Sequence, residues 1–229
     1  MGQAPQLKRQ TTMIKREIYI PCGRITLEGV VEIPRRDQNR LPAVVICHPH
    51  PLYGGTMNNN VTQALAKGLL ERDFVCLRFN FRGVGRSQGV YGEGQDEIED
   101  VLAALDYLER LEDVDPTRIV AAGYSFGCWV GLRAAAGDSR PTRLIGISPP
   151  VDEYDFGFLL GEKRPKLLIA GDRDFVCSPR KFKELLDAIP EPRVGVTLEG
   201  ADHFHFGREE RLVKEATLFL DGRPWNVGA

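Results

Sequence analysis

The sequence predicts an α/β fold, a mostly parallel sheet with helices packed on both faces. Three observations carry that expectation. Short continuous apolar runs such as Ala43-Val44-Val45-Ile46-Cys47 suit strands buried on both sides of a parallel sheet. Elsewhere Ile98, Val101, Leu102, Leu105, Leu108 and Leu111 recur at helical spacing, with Glu97, Glu99, Asp100 and Asp106 on the other faces. Strand-like and helix-like segments then alternate along the chain, which is the order that builds crossover units.

Taken in order, Arg16 to Pro21 and Ile25 to Pro34 read as the first strands, followed by a polar turn from Arg35 to Arg40. Ala43 to Cys47 and Phe74 to Phe79 are the next strands, with no element assigned between them. After the helix around residues 98–111 come a strand from Arg118 to Gly123 and a small-residue helix from Phe126 to Ala136. Strands follow at Leu144 to Ile147 and Lys166 to Ala170, then a helix from about Pro179 to Ile189. Val194 to Leu198 is the last strand and Arg208 to Leu220 the last helix. No repeat or linker interrupts this series, so residues 16–229 are expected to form a single domain behind a flexible tail at 1–15. The unassigned stretch from Pro149 to Arg164 is too short for a substantial lid.

Composition narrows the functional classes. The chain has 229 residues, 42% of them hydrophobic, and a formal net charge of −2. That balance gives no electrostatic case for binding nucleic acid or a membrane surface. No apolar run approaches the roughly 20 residues of a membrane helix. The first residues lack the apolar stretch of a secretory signal, and Gln6 does not fit a myristoylation pattern after Met1-Gly2. Cys22, Cys47, Cys76, Cys128 and Cys177 are odd in number and contain no C-x-x-C pair, which argues against a disulfide framework or a thiolate zinc site. A reducing, cytoplasmic setting is expected.

The pattern G-x-S-x-G occurs twice, around Ser87 and around Ser125. A serine nucleophile needs a sharp strand-to-helix turn, with glycines two residues away on each side so that backbones pass closely. The helix N-terminus behind it favours developing negative charge. Ser125 has a strand-like run before it and a helix-like run after it. Ser87 sits within the glycine-rich loop Arg82-Gly83-Val84-Gly85-Arg86-Ser87-Gln88-Gly89 and reads as a turn residue. A serine hydroxyl also needs a base, and the base an orienting carboxylate. Downstream of Ser125 the histidines are His203 and His205, and the acids after the Lys166 to Ala170 strand are Asp172 and Asp174; Asp152 and Asp155 lie after the preceding strand. Position alone leaves these alternatives open.

Several segments together carry a resemblance. They are His48-Pro49-His50-Pro51-Leu52-Tyr53-Gly54-Gly55, Asn80-Phe81-Arg82-Gly83-Val84-Gly85-Arg86-Ser87, Asp115-Pro116-Thr117-Arg118-Ile119, the Ser125 turn, Gly171-Asp172-Arg173-Asp174 and Gly200-Ala201-Asp202-His203. In this order, over about residues 16–222, the chain resembles the compact, lid-poor bacterial α/β-hydrolases related to esterases and dienelactone hydrolase-like proteins. The resemblance implies the α/β-hydrolase fold and a Ser125, His203 and Asp174 triad, favouring Asp174 over Asp172 and His203 over His205. It also implies an oxyanion hole made by the backbone N–H of Phe126 and one from the loop after the Ala43 to Cys47 strand. Where many relatives have His-Gly-x, this chain has prolines at 49 and 51, which have no N–H, so His50 is expected to donate through its backbone.

The expected reaction is hydrolysis of small or short-chain acyl esters through an acyl-enzyme, with thioesters or amides as alternatives. No metal or organic cofactor is expected. Tyr53, Phe175 and Phe204 are expected to contact substrate, among a wider aromatic set that includes Phe126, Phe156 and Phe158. Arg82, Arg86 and Arg173 are either carboxylate-binding or solvated charges. The expected partner is a small-molecule ester, with a homodimer left open. Two rivals remain: a metal hydrolase built on the H-x-H pairs His48/His50 and His203/His205, and a non-catalytic binding protein on the same fold.

Overall fold

The computed structural model describes residues 13–36 and 40–222. Most of the expected tail, and the middle of the Arg35 to Arg40 turn, lie outside the described residues. Residues 13–15 belong to the first strand, which runs Met13–Cys22 (β1), and not to a tail. Then come Ile25–Pro34 (β2), Leu41–Cys47 (β3), the helix Asn60–Leu70 (α1) and Val75–Phe79 (β4). The helix Glu97–Glu109 (α2) leads to Val114–Tyr124 (β5), Phe126–Ala136 (α3) and Pro141–Ile147 (β6). Lys166–Gly171 (β7), Pro179–Ala188 (α4), Arg193–Leu198 (β8) and Glu209–Asp221 (α5) complete the series.

The strands form one eight-stranded sheet in the order β1-β2-β4-β3-β5-β6-β7-β8. β1 runs antiparallel to β2, and β2 antiparallel to β4. The pairs from β4 through β3, β5, β6 and β7 to β8 are parallel. Successive strand residues point to opposite faces, so the apolar runs feed two separate cores. Val45, Cys47, Leu77 and Phe79 pack with α2 and α3 on one side. Val44, Ile46, Cys76 and Val120 pack with α1 and α5 on the other. All five cysteines are free and buried.

The sequence reading assigned no element at α1. Its signals are present: Asn59 caps the helix by accepting from the Val61 N–H at 2.9 Å, and Val61, Leu65 and Leu69 recur four apart on the buried face. Gly68 weakens the helical pattern and has a packing reason. A Cβ there would lie 2.1 Å from Val213 Cγ1 of α5, so glycine lets the two helices approach. Between β6 and β7, residues 148–165 hold only a short 3-10 turn, Gly157–Gly161, and no lid. No helix among the described residues is long and apolar enough to cross a membrane.

Candidate active site

Parallel strands deliver their C-terminal ends to one edge of the sheet, and the loops leaving that edge meet. β5 ends at Tyr124, and α3 begins at Phe126 with Ser125 between them at φ 55°, ψ −122°. The flanking glycines make that turn sterically feasible. A Cβ at Gly123 would lie 2.1 Å from the Gly127 carbonyl oxygen; one at Gly127 would lie 2.4 Å from the His48 carbonyl oxygen. Any side chain at either position would collide with backbone. The Ser125 N–H donates to the Ile147 carbonyl at 2.9 Å, and its own carbonyl accepts from Cys128 and Trp129 in the first turn of α3.

The Ser125 hydroxyl lies 2.8 Å from His203 Nε2. His203 Nδ1 lies 2.9 and 3.0 Å from the two Asp174 carboxylate oxygens. A carboxylate only accepts, so Nδ1 carries the proton and Nε2 is left to accept from the serine. Asp174 Oδ1 also accepts from the Val176 and Cys177 N–H groups, both at 2.9 Å. Burial opposes the Asp174 charge. The bonds and charge from His203, the Ser148 hydroxyl and the Val176 N–H outweigh it and hold the carboxyl below its usual range. The Tyr124 hydroxyl donates to the His203 carbonyl at 2.7 Å and so ties the histidine loop to the serine turn.

The alternatives left open by position are separated here. Asp172 is exposed, and its Oδ1 accepts from the Gly200 N–H at 2.7 Å, which fastens the acid loop to the histidine loop. Gly171 allows the same approach, since a Cβ there would lie 2.1 Å from the Ala201 carbonyl oxygen. Asp152 is held by Ser178 and Lys181, and Asp155 by the Gly157 N–H. His205 Nε2 meets the Ser148 hydroxyl at 2.7 Å, whereas the Ser125 hydroxyl meets His203. Ser87 is buried: its hydroxyl donates to the Asn80 carbonyl and accepts from the Glu28 N–H.

The His48-Pro49-His50-Pro51 loop runs beside the serine turn. The His50 ring packs against Phe126, Tyr53 and Tyr91, with centroids 4.9, 4.5 and 5.2 Å away. Its carbonyl accepts from Tyr53 and Gly55, and a Cβ at Gly55 would lie 2.1 Å from the Pro49 oxygen, so the loop is tightly wound. Phe126 is the first residue of α3, where an N–H has no intrahelical acceptor. The metal reading of the H-x-H pairs fails on geometry. His48 Nε2 accepts from the Phe81 N–H at 3.0 Å while Nδ1 bonds the Pro49 carbonyl, so both nitrogens are engaged. Among the described residues no three His, Cys, Asp or Glu side chains converge as a metal would require.

A cavity of about 380 Å³ opens onto Ser125 and His203. Tyr53, Phe175 and Phe204 line it, joined by Tyr154, Asn59 and Glu153, which the sequence did not single out. Tyr154 lies in the loop after β6, where no periodicity marks it. Phe156 and Phe158 pack into the core instead. The arginines do not serve the cavity. Arg82 is buried on Asp100 at 2.8 Å, and Arg86 pairs with Glu28 and Glu17; neither lines it, nor does Arg173. The expectation of solvated charges therefore fails for Arg82, whose ion pair anchors the glycine-rich loop to α2.

This sheet order, the serine on the turn after β5 and a histidine arriving after the last strand define a serine hydrolase of the α/β-hydrolase fold. Comparison with known proteins makes the assignment narrower. Residues 23–167 match the family described as X-Pro dipeptidyl-peptidase (S15 family), and the chain belongs to it. The uncharacterized protein RP471 of Rickettsia prowazekii is 34% identical over 214 residues, which cover 89% of this chain and 88% of that one. An α/β serine hydrolase homologue from Coxiella burnetii superposes with a TM-score of 0.80 at 36% identity, covering 91% of this chain and 97% of its own. XC6422 from Xanthomonas campestris, an α/β serine hydrolase without a lid, gives a TM-score of 0.81 at 29% identity, covering 94% and 96%.

Proposed function

We propose that the chain is a carboxylesterase acting on small or short-chain acyl esters. The observation that carries the reading is the unbroken hydrogen-bonded series Ser125, His203, Asp174 at the floor of an aromatic-lined, lid-free cavity. Ser125 attacks the ester carbonyl while His203 Nε2 takes its proton. The Phe126 and His50 N–H groups hold the oxyanion of the tetrahedral intermediate. His203 returns the proton to the departing alcohol, leaving Ser125 acylated. Water then attacks the acyl group through the same base, and the acid is released. Asp174 holds the imidazole in the tautomer the first step needs. The balance requires ester and water alone. Tyr53, Phe175 and Phe204 would bound the acyl or alcohol group, and the lack of arginine or lysine among the described residues of the cavity wall favours neutral esters.

The family description supports a second reading, amide cleavage after proline, which would use the same proton route to a departing amine. A panel of p-nitrophenyl esters of increasing chain length, set against X-Pro p-nitroanilides, separates the two. Turnover of acetate and butyrate esters is expected, lost in Ser125→Ala together with fluorophosphonate labelling. Anilide cleavage with no ester turnover would overturn the esterase reading.

A further inference from the structure

The loop after β6 places one aromatic ring between two spaces. Tyr154 lines the cavity that opens onto Ser125, and it also lines a neighbouring cleft of about 270 Å³. Among the described residues it alone lines both. Val151, Phe156, Leu160 and Leu185 give the cleft an apolar lining, with Lys181 and Glu184 beside them. The cleft therefore has the surface an alkyl chain would bury, and the Tyr154 ring stands where that chain would enter it from the serine.

The ring is held in that position. It stacks on Trp129 of α3 with centroids 4.2 Å apart and planes 20° apart. The Trp129 Nε1–H donates to the Asp155 carbonyl at 3.0 Å, so the residue that backs the ring also ties down the next residue of the loop. Phe126, which follows Ser125, meets Tyr154 edge-on at 6.3 Å. The backbone is fixed as well: the Tyr154 N–H donates to the Pro150 carbonyl at 2.9 Å, and Asp152 holds Ser178 and Lys181 of the facing segment. A ring stacked on one side and fastened through its loop acts as a wall and not as a swinging gate.

We propose that Tyr154 is a specificity-determining residue: its ring partitions the active-site cavity from the neighbouring cleft and so limits the acyl chain to a short one. Each methylene a chain buries strengthens binding roughly fourfold, and the partition withholds that gain from longer chains. The proposal rests on the ester-hydrolase reading above and deepens it, by naming the residue that sets the chain length.

A chain-length series of p-nitrophenyl esters, from acetate to decanoate, tests it. The wild type is expected to prefer acetate and butyrate. In Tyr154→Ala the ratio of kcat/KM for octanoate to that for butyrate is expected to rise roughly tenfold or more, as four further methylenes enter the cleft. Tyr154→Phe, which keeps the ring, should keep the short-chain preference. Tyr154→Leu keeps apolar cover on Trp129 and should show a smaller rise if the alanine variant does not fold. Leu160 is exposed on the cleft, and Leu160→Trp added to Tyr154→Ala should fill the cleft and cancel the gain. An unchanged ratio in the folded variants, a gain that survives Leu160→Trp, or a wild type that already prefers octanoate overturns the proposal. A wild type that cleaves no ester sinks the esterase reading instead. Calorimetry with methyl ketones, which no hydrolase consumes, then decides the partition. Tyr154→Ala should bind 2-decanone roughly tenfold tighter than the wild type does, with 2-butanone unaffected, and equal affinities for 2-decanone sink it.

Discussion

Two serines carry the same five-residue pattern, and their surroundings give them opposite chemistry. The Ser87 hydroxyl is saturated by one backbone acceptor and one backbone donor, at 2.7 and 2.9 Å, and faces no base. Ser87→Ala is expected to lower stability by about 1–3 kcal/mol through those orphaned backbone groups while ester turnover persists; urea titration and a turnover assay read both. The Ser125 hydroxyl instead meets His203 in a cavity open to substrate. Asp174→Asn would exchange an acceptor for a donor at Nδ1 and favour the wrong tautomer. A fall in kcat on the order of 10³–10⁴ is expected, and a loss under tenfold would count against the assigned role.

At the scale of elements, the site depends on how closely segments approach. β3, β5 and α3 meet where Gly127 passes the Cys47 and His48 carbonyls, with a built Cβ at 2.5 and 2.4 Å. Neither obstacle is a flexible side-chain end, so the backbone itself would have to move. Gly127→Ala is expected to cost more than about 2 kcal/mol and to weaken fluorophosphonate labelling, since any shift of the turn moves Ser125 away from His203. Unchanged melting and labelling would show that the turn has slack. The acid and histidine loops are tied in the same manner, by Gly171 against Ala201 and by Asp172 on the Gly200 N–H.

For the whole molecule, the buried histidines set a dependence of stability on pH. Burial, aided by the His50 charge and opposed by the Pro49 carbonyl bond, pushes His48 down to about 4. A folded value below the ordinary histidine value of about 6.5 means that the unfolded chain takes up protons first as pH falls. Stability is therefore full above about pH 6.5 and declines toward pH 4, by roughly 3 kcal/mol for His48 alone. His50 and His205 act in the same direction. Below that range Asp174, Asp138 and Asp115, all held low, add to the loss as they protonate. Urea unfolding at neutral pH and near pH 4.5 should show the decline, and His48→Gln, which cannot charge, should flatten it.

The sequence by itself determined the alternation of buried strands and helices, the serine whose neighbours make a strand-to-helix turn, and the order of serine, acid and histidine. These are local properties: periodicity, glycine placement and chain order survive in one dimension. It missed α1, because a glycine needed for contact with α5 looks locally like a helix weakener. Chain position left Asp172 open beside Asp174 and His205 beside His203, since residues two apart differ in direction and not in pattern; the resemblance favoured Asp174 and His203, and the fold brings those two into hydrogen-bonding line with Ser125. Only the tertiary structure decided Arg82, a loop arginine in the sequence and a buried ion pair on Asp100 in the fold. Ser148 carried no sequence signal at all. Its 2.7 Å contact with His205 arises from two loops meeting at one sheet edge, a relation between distant segments that no spacing along the chain records.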